Sequence, residues 1–496
     1  MLTFDVPPSA SALMSSLRGV GYSLETAIAD IIDNSIAAGA SLIEIGLSWA
    51  EGEPFITILD DGSGMSEAGL LEAMRFGGVG PSAERSSEDL GRFGLGLKTA
   101  SLSQCRQLTV ASKIGDSITA FTWDVDHIVE GDGGWHLLDG MANLSGSSFG
   151  ALQSLASGSL VTWRKVDFGR LDDRPDVEAF RADIERLDRH LGMVFHRFIR
   201  GDARKIEIRI NGAAVEAWDP FLETNEATIP QPAQKIRAPG GPVAVRGFVL
   251  PHKDRFRTET EFLKAGGPEG WNAQQGFYVY RQKRLLSAGG WLNLGGARTW
   301  TRDEPSRLAR IRIDVPNTAD RDWRIDIRKA IARPPDAIRK RLQRIADDVR
   351  RKAREVFVHR GLFGARAKDA EVSRIWQVNP DGVGRRYTVR RDHELIRLMM
   401  ERLGKNSGLL EGALDLLERT VPVERVWLDV TEHGAPDVES REDADTIAAA
   451  AKLVDVLAHA GVPYQTAVEN VASMDPFDRV ADLSKKLAGK KMRGSR

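Results

Sequence analysis

The sequence predicts an α/β protein of several domains with a mostly helical tail, and three observations carry that prediction. A segment of helical period at 22–38 runs straight into two strand-like runs. A second block of β-branched and aromatic runs, with longer connections, begins near residue 166. From 361 onward helical period dominates again. The chain of 496 residues is long enough for about three domains at ~150 residues each, and the expected divisions are 1–165, 166–360 and 361–496.

With 42% hydrophobic and 28% charged residues, the composition is that of a soluble globular protein. A formal net charge of −1 excludes a protein held to nucleic acid or membrane by bulk charge alone. The single cysteine, Cys105, excludes an internal disulfide and a cysteine-cluster metal site, and it fits a reducing, cytoplasmic setting. The start MLTFDVPPSA has neither a basic n-region nor an apolar h-region, so no signal peptide is expected. No run of about 18 apolar residues is present to span a bilayer, and no membrane partner is expected. The charge is unevenly spread. Residues 1–160 hold 7 Lys/Arg against 20 Asp/Glu, a net of −13, while 301–360 hold 18 against 10, a net of +8. An acidic front and a basic waist point to different partners.

Tyr22 to Ala38 reads as a helix, with Ser23 as N-cap, Glu25 in the first turn and Gly39 as its stop. Leu24, Ala27, Ile28 and Ile31, continued by the small Ser35, should face a core. Asp30, Asp33, Asn34 and Ala37 form a stripe along another side. Two carboxylates and an amide beside an apolar surface are costly unless something polar meets them, although a lone stripe of this kind is more often a solvated face. Strand-like runs follow at Leu42–Trp49 and Phe55–Leu59, the second leading into DDGSGM from Asp60 to Met65. A carboxylate at a strand end, followed by Gly62 and Gly64, lets a ligand approach the backbone closely. Alone, it is a routine strand-to-helix turn.

A helix over Ser66–Phe76 comes next, then a polar, glycine-rich stretch from Gly77 to Leu90 of the kind that forms a lid. GRFGLGLKTAS, from Gly91 to Ser101, would open a helix at about 95–104 and offer backbone N–H groups to an anion. Gly91-x4-Gly96-Leu97-Lys98-Thr99 imitates a P-loop, but that motif needs the lysine directly after the second glycine. The extra Leu97 turns Lys98 by about 100° on a helix, and no strand feeds Gly91. Gly158-Ser159 then precedes an apolar strand, Leu160–Trp163.

In this order the pieces resemble the GHKL ATPases (gyrase, heat-shock chaperone, histidine kinase and MutL), and among them MORC-type and MutL-type members most. The resemblance covers roughly residues 15–165 and implies the Bergerat fold, an α/β sandwich that holds ATP and Mg²⁺ between its helices and a mixed sheet. It puts Asn34 where the Mg²⁺-binding asparagine sits and Asp60 where a carboxylate receives the adenine amino group. Gly62 and Gly64, with Met65 beside them, match the turn beneath the nucleotide. Gly91, Gly94 and Gly96 match the phosphate-facing lid hinge, and the GLGLKTAS run, with Lys98 and Thr99, looks especially like the MORC version. Ser159 sits where many relatives carry threonine near the adenine.

One position departs from the pattern. Four residues before Asn34, most hydrolysing relatives carry glutamate as the base that activates water, and here it is Asp30. Aspartate can perform the same proton transfer. Its side chain is one methylene shorter, and a displacement of that order can cost up to about 100-fold in rate. Slow hydrolysis, or ATP used mainly as a latch, is therefore expected. Glu25 is an alternative base, but five residues from Asp30 it lies about 140° around the helix, on the wrong side.

Further along, Lys205–Ile210, Val243–Leu250, Gly276–Leu286 and Ala309–Val315 read as strands. The resemblance implies a transducer-like βαβ domain here that donates a lysine to the γ-phosphate. GFYVYRQKRLL looks like the corresponding MORC strand, and Lys329, at the end of the run from Asp322, is the candidate lysine. The ordinary alternative is a surface lysine within a basic run.

Pro334 to Arg360 reads as a long helix with a narrow apolar seam of Ile338, Leu342, Ile345, Val349 and Val356. Arg339, Lys340, Arg341, Arg344, Arg350, Arg351, Lys352 and Arg354 occupy the rest, and such a basic 335–360 helix could track DNA phosphates. Asp336, Asp347, Asp348 and Glu355 dilute it, and a solvated face competes equally. With Phe357 its only aromatic residue, base stacking is not indicated. In the tail, Leu395–Leu403, Gly408–Thr420 and Ser440–Ala460 have helical period, with a strand expected at Val423–Val430. His190 and His196, six residues apart, lack metal-ligand spacing on one helix face.

The reading that follows is an ATP-dependent molecular switch acting on DNA. ATP and Mg²⁺ order the lid, two ATPase domains associate as a homodimer, Asp30 activates water, and hydrolysis resets the pair. The DNA step rests on analogy with MORC and MutL proteins. The alternative is a chaperone-like or regulatory ATP-binding module with a protein partner. No phospho-accepting histidine helix pair precedes the front domain, which disfavours a sensor kinase. No clustered carboxylate motif stands out in the tail, which disfavours a nuclease.

Overall fold

The computed structural model describes residues 9–19, 21–50, 53–76, 96–131, 134–167, 170–171, 174–201, 205–295, 299–319, 322–323, 332–358, 373–381, 384–423, 425–426, 444–480 and 482–491. The chain divides into two compact units, Met1–Leu362 and Phe363–Arg496.

The first unit opens with α1 (Ala10–Arg18) and α2 (Leu24–Ala37). Ser23 starts α2 through a reciprocal capping box with Thr26, and Gly39 ends it at φ +85°, a left-handed stop that suits glycine. Then come β1 (Leu42–Ala50), β2 (Glu53–Asp60), α3 (Glu67–Met74), α4 (Gly96–Leu102), β3 (Cys105–Ile114) and β4 (Ser117–Asp124). They are followed by α5 (Val125–Glu130), β5 (Leu138–Asp139), α6 (Gly146–Ser154) and β6 (Ser157–Val166). A short hairpin of β7 (Arg170–Leu171) and β8 (Arg174–Pro175) precedes α7 (Val177–Val194), α8 (His196–Ile199), β9 (Glu207–Ile210) and β10 (Ala213–Ala214).

Eight strands form one mixed sheet in the order β10-β9-β1-β2-β6-β3-β4-β5, in which β9 runs parallel to β1 and the remaining pairs are antiparallel. The sheet thus draws strands from both sides of residue 166. Helices cover one face, where Ile28, Ile32, Ile45, Ile56, Leu108, Leu187 and Trp163 are buried together. Each such aliphatic side chain removed from water contributes about 1.5–3 kcal/mol. The other face carries α6, with Leu152 packed on Leu59, Ala111 and Leu160.

The second sheet consists of β11 (Ile229–Pro230), β12 (Gln234–Ile236), β13 (Val243–Val249), β14 (Gly276–Arg281), β15 (Arg284–Ala288) and β16 (Ala309–Val315). Its order is β11-β13-β16-β14-β15, with β12 beside β13. The connection from β13 to β14 carries α9 (Glu259–Ala265) and α10 (Gly270–Ala273). The expected single strand Gly276–Leu286 is in fact a hairpin. Gln282 and Lys283 take φ of +48° and +69°, the two-residue turn that joins twisted antiparallel strands, without the Asn-Gly pair that usually announces it. The long helix α11 (Asp336–Val358) lays its predicted seam on this sheet, and Ile338, Leu342, Ile345, Val349 and Val356 are all buried. Its approach at Gly247 is close enough that a Cβ there would stand 2.4 Å from Cγ2 of Val349.

The second unit contains the helices Glu394–Leu403, Ser407–Arg419, Ala444–His459, Tyr464–Ala472 and Leu483–Lys491. It also has an antiparallel hairpin, Trp376–Asp381 with Gly384–Val389, that helical period alone does not reveal. The strand expected at Val423–Val430 is not formed by its described residues: Val423, Arg425 and Val426 are helical. Among the described residues no helix is long and apolar enough to cross a membrane.

Candidate nucleotide site

The site is built where α2 crosses the end of β2. Alternation along β2 turns Ile56, Ile58 and Asp60 toward the helical layer, so the strand ends by presenting a carboxylate to α2. Asp60 is buried, its Oδ2 accepting from Ser35 Oγ at 2.8 Å and its Oδ1 from the Gly62 N–H at 3.0 Å. Burial pushes its carboxyl above the ordinary value, against the opposing pull of the Ser35, Gly62 and Ser159 donors. Ser35 belongs to the apolar seam by spacing, and its hydroxyl is what fixes Asp60. Sequence period marks it only as a small residue.

The turn after Asp60 needs its glycines. Gly64 has φ +68°, and a Cβ there would lie 2.1 Å from the Lys113 carbonyl oxygen. A Cβ on Gly62 would lie 2.9 Å from Asp60 Oδ1. Met65 donates its N–H to Ser112 Oγ at 2.8 Å, and Ser112 in turn contacts Ser159 Oγ at 3.1 Å. Ser159 is paired with Asp60 across β2 and β6, next to Gly158, where a Cβ would stand 2.2 Å from the Asp60 carbonyl oxygen. Asp60, Gly62, Gly64, Met65 and Ser159 are thus brought together in one cradle, with Ser35 and Ser112 as members that sequence reading passes over.

Asn34 lies one residue from Ser35 and is exposed on α2. Asp30 and Asp33 are almost wholly buried. Asp30 Oδ2 accepts from the Tyr22 hydroxyl at 3.1 Å, and its Oδ1 lies 3.7 Å from Nη2 of Arg284. Asp33 accepts from Nε of Arg284 on both oxygens, at 3.2 and 3.0 Å. The polar stripe on α2 is therefore divided: its two acids face a guanidinium from the second sheet, and its amide faces outward. Glu25 pairs with Arg186 of α7 at 3.3 Å. His190, also on α7, is pulled down to about 4 by burial and then by the nearby Arg284 charge, so it is neutral near pH 7.

Gly96 opens α4 with nothing within 4 Å of where its Cβ would be. Thr99 is buried in the first turn of α4, its hydroxyl 3.5 Å from the Gly96 carbonyl. Lys98 does not project freely. It is buried, its ammonium donating to the Ala73 and Arg75 carbonyls at 2.7 Å each and standing 5.7 Å from the Phe76 ring centre. Desolvation lowers it to about 8. In this arrangement Lys98 caps the end of α3. Gly91, Gly94 and Lys329 lie outside the described residues.

No group of three or more His, Cys, Asp or Glu among the described residues could hold a metal ion alone. The donors present, an exposed amide beside two engaged carboxylates, fit a Mg²⁺ whose remaining ligands are phosphate oxygens and water.

Most basic side chains of α11 have partners within the protein, although only Arg350 among them is buried. Arg350 is buried, lies 4.7 and 4.5 Å from the rings of Trp291 and Trp300, and pairs with Asp303 at 2.9 Å. Arg354 shares Asp303 at 2.7 Å, and Lys352 pairs with Asp348 at 2.9 Å and Gln231. Arg351 is tied to Asp348 and Glu355, Arg341 to Gln234, and Arg339 to the Asn293 carbonyl. Arg350 therefore belongs to the core of the second sheet, which corrects its place among residues expected to meet phosphate. Its flanking tryptophans are far away in sequence, and nothing in the helical period announces them. Lys340 and Arg344, one turn apart on α11, are exposed.

A buried strand-end carboxylate, a glycine cradle and a polar face on a capped helix, all on a mixed eight-stranded sheet, define a nucleotide-binding α/β domain. Residues 22–150 match the family of histidine kinase-, DNA gyrase B-, and HSP90-like ATPases, and this stretch is accordingly a GHKL-type ATPase domain. A 95-residue stretch is 34% identical to the ATPase morc-1 of Caenorhabditis elegans, covering 19% of this chain and 11% of that relative's length. The match thus spans about a ninth of the relative.

Proposed function

We propose that this chain is an ATP-dependent, dimerising switch that hydrolyses ATP and acts on DNA from a reducing, cytoplasmic compartment. The observation that carries the ATP reading is the buried Asp60 carboxylate, fixed by Ser35 one residue from the exposed Asn34. That arrangement offers an acceptor for an exocyclic amino group and, beside it, an amide for a phosphate-bound cation. In this reading Asp60 and Ser159 receive the adenine. Gly62, Gly64 and Met65 form the floor, and Gly91, Gly94, Gly96 and Thr99 receive the phosphates. Asn34 holds Mg²⁺, which when bound would neutralise phosphate charge. Asp30, oriented by the Tyr22 hydroxyl, takes the proton of the attacking water. Lys98 reaches the phosphates only by leaving the Ala73 and Arg75 carbonyls, and Lys329 contacts the γ-phosphate from the second domain. Steady-state turnover measured with and without plasmid DNA tests the reading. It requires Mg²⁺-dependent turnover and ATP-dependent, salt-sensitive DNA retention, and equal retention with ATP and ADP would remove the DNA step.

The burial of Arg350 and the pairing of Arg351 and Arg354 with protein carboxylates favour a second reading, a regulatory or chaperone-like ATP-binding module whose partner is protein. Lys340 and Arg344 separate the two. Their joint replacement by alanine lowers DNA retention if α11 meets phosphate and leaves it unchanged if the partner is protein.

A further inference from the structure

The hydrolytic base and the second sheet meet at one side chain. Arg284 is the first residue of β15, placed immediately after the Gln282–Lys283 turn, and only 4% of it is exposed. Nε of Arg284 donates to both oxygens of Asp33, Nη2 lies 3.7 Å from Asp30, and Nη1 donates to the Leu285 carbonyl at 2.8 Å. The ring of Phe195 backs the guanidinium at 5.9 Å. Asp30 and Asp33 stand one turn apart on α2, so their charges would repel in this buried setting without a shared cation. A planar guanidinium reaches both at once, which an ammonium's point charge does not do equally well. The Tyr22 hydroxyl holds the other oxygen of Asp30. The orientation of the Asp30 carboxylate is thus set from two sides, one of them belonging to a different sheet.

We propose that Arg284 is a positioning residue that couples the second sheet to hydrolysis: by bridging Asp33 and Asp30 it fixes the Asp30 carboxylate, so that movement of the β14–β15 hairpin changes turnover without changing nucleotide affinity. This rests on the reading of Asp30 as the base. It differs from the role given to Lys329, because Arg284 acts through protein carboxylates and touches no phosphate.

The test uses the full chain with Arg284→Met, Arg284→Lys and the charge-balanced double variant Arg284→Met/Asp33→Asn, each assayed for kcat, KM and the Kd of a fluorescent ATP analogue. Arg284→Met is expected to lower kcat about 10- to 100-fold, the cost of a misplaced reacting group, with the Kd within about twofold. Arg284→Lys is expected to recover part of kcat, because a cation is restored. The double variant guards against misfolding, since it removes one buried carboxylate together with the cation and so keeps the net charge of the cluster at its wild-type value, and it is expected to bind ATP normally with kcat still reduced. Wild-type kcat in Arg284→Met, or a parallel loss of kcat and affinity in the folded double variant, would overturn the coupling while leaving the ATPase reading intact. A wild-type chain that binds ATP but never turns it over would instead remove the base assignment and this inference with it.

Discussion

Replacing Asp60 by asparagine tests the purine pocket with almost no change of shape. The structure dictates which way the amide must sit. Oδ1 faces the Gly62 N–H, which can only donate, so the amide oxygen has to take that position. The amide nitrogen then falls where Oδ2 meets the Ser35 hydroxyl, which can reverse its role and accept. The variant therefore folds, but it presents N–H groups where the wild type presents a carboxylate oxygen to an incoming amino group. Losing a hydrogen bond to a charged acceptor costs about 1.5–3 kcal/mol, equivalent to about 10- to 150-fold in Kd at 1.4 kcal/mol per tenfold.

Stability should move the other way. Burial raises the Asp60 carboxyl in the folded state, so the folded protein holds this proton more tightly than the unfolded chain does. Stability then falls as pH rises from the ordinary carboxylate value through the raised one, and the ionised group is a cost at neutral pH. The nucleotide-free Asp60→Asn protein is expected to melt at or above the wild-type temperature at pH 7, with the advantage fading in acid. Calorimetric titration with an ATP analogue, alongside thermal melts, reads both effects. A Kd within twofold of wild type in a folded variant would refute the placement of adenine at Asp60.

Four further outcomes are expected. Asp30→Asn should lower turnover by about 10²- to 10⁴-fold, the usual worth of a general base, while a fluorescent nucleotide still binds as in wild type; undiminished turnover would contradict the role. Gly64→Ala places a Cβ 2.1 Å from the Lys113 carbonyl at φ +68° and should cost about 1–3 kcal/mol in urea unfolding from backbone strain alone. An unchanged midpoint would show that the turn is not held as described. Lys98 is lowered by desolvation to about 8 in the folded state from 10.5, so between those values the unfolded chain binds more protons and stability rises with pH. The stability difference between wild type and Lys98→Met should accordingly shift in favour of wild type from pH 8 to 10.5, and a flat difference would place the ammonium in water. Arg350→Ala should cost about 1.5–3 kcal/mol, because it removes a buried, charge-assisted hydrogen bond to Asp303 and the side chain held between Trp291 and Trp300 while Arg354 still meets Asp303, whereas Lys340→Ala/Arg344→Ala should leave the melting temperature unchanged.

The sequence makes the front domain legible because its signals are local. A capped amphipathic helix, a strand ending in Asp-x-Gly-x-Gly and a glycine-led helix each follow from neighbouring residues, and α2, β2 and α4 stand within a few positions of where spacing puts them. What stayed hidden depends on residues far apart in sequence. Ser35 looks like a small seam residue until Asp60 is opposite it, and Arg284 looks like part of a strand until two acids from α2 meet it. The basic face of α11 invites a nucleic-acid reading because Trp291, Trp300 and Asp303, which capture Arg350, are invisible to a helical wheel. The β14–β15 turn escaped notice because Gln-Lys does not advertise a left-handed pair. For Arg284 a signal did exist: it stands between an aromatic run and Leu285–Leu286 in an apolar strand pattern, and an arginine buried there needs a carboxylate.

The central claim is that the front domain holds an adenine nucleotide at Asp60, and its most direct test is calorimetric titration of the whole chain with non-hydrolysable ATP and GTP analogues in the presence of Mg²⁺. The account predicts one ATP site per chain and at least about 100-fold weaker binding of the guanine analogue, whose carbonyl oxygen would oppose the carboxylate. Equal affinity for the two bases, or no heat with either, would contradict it.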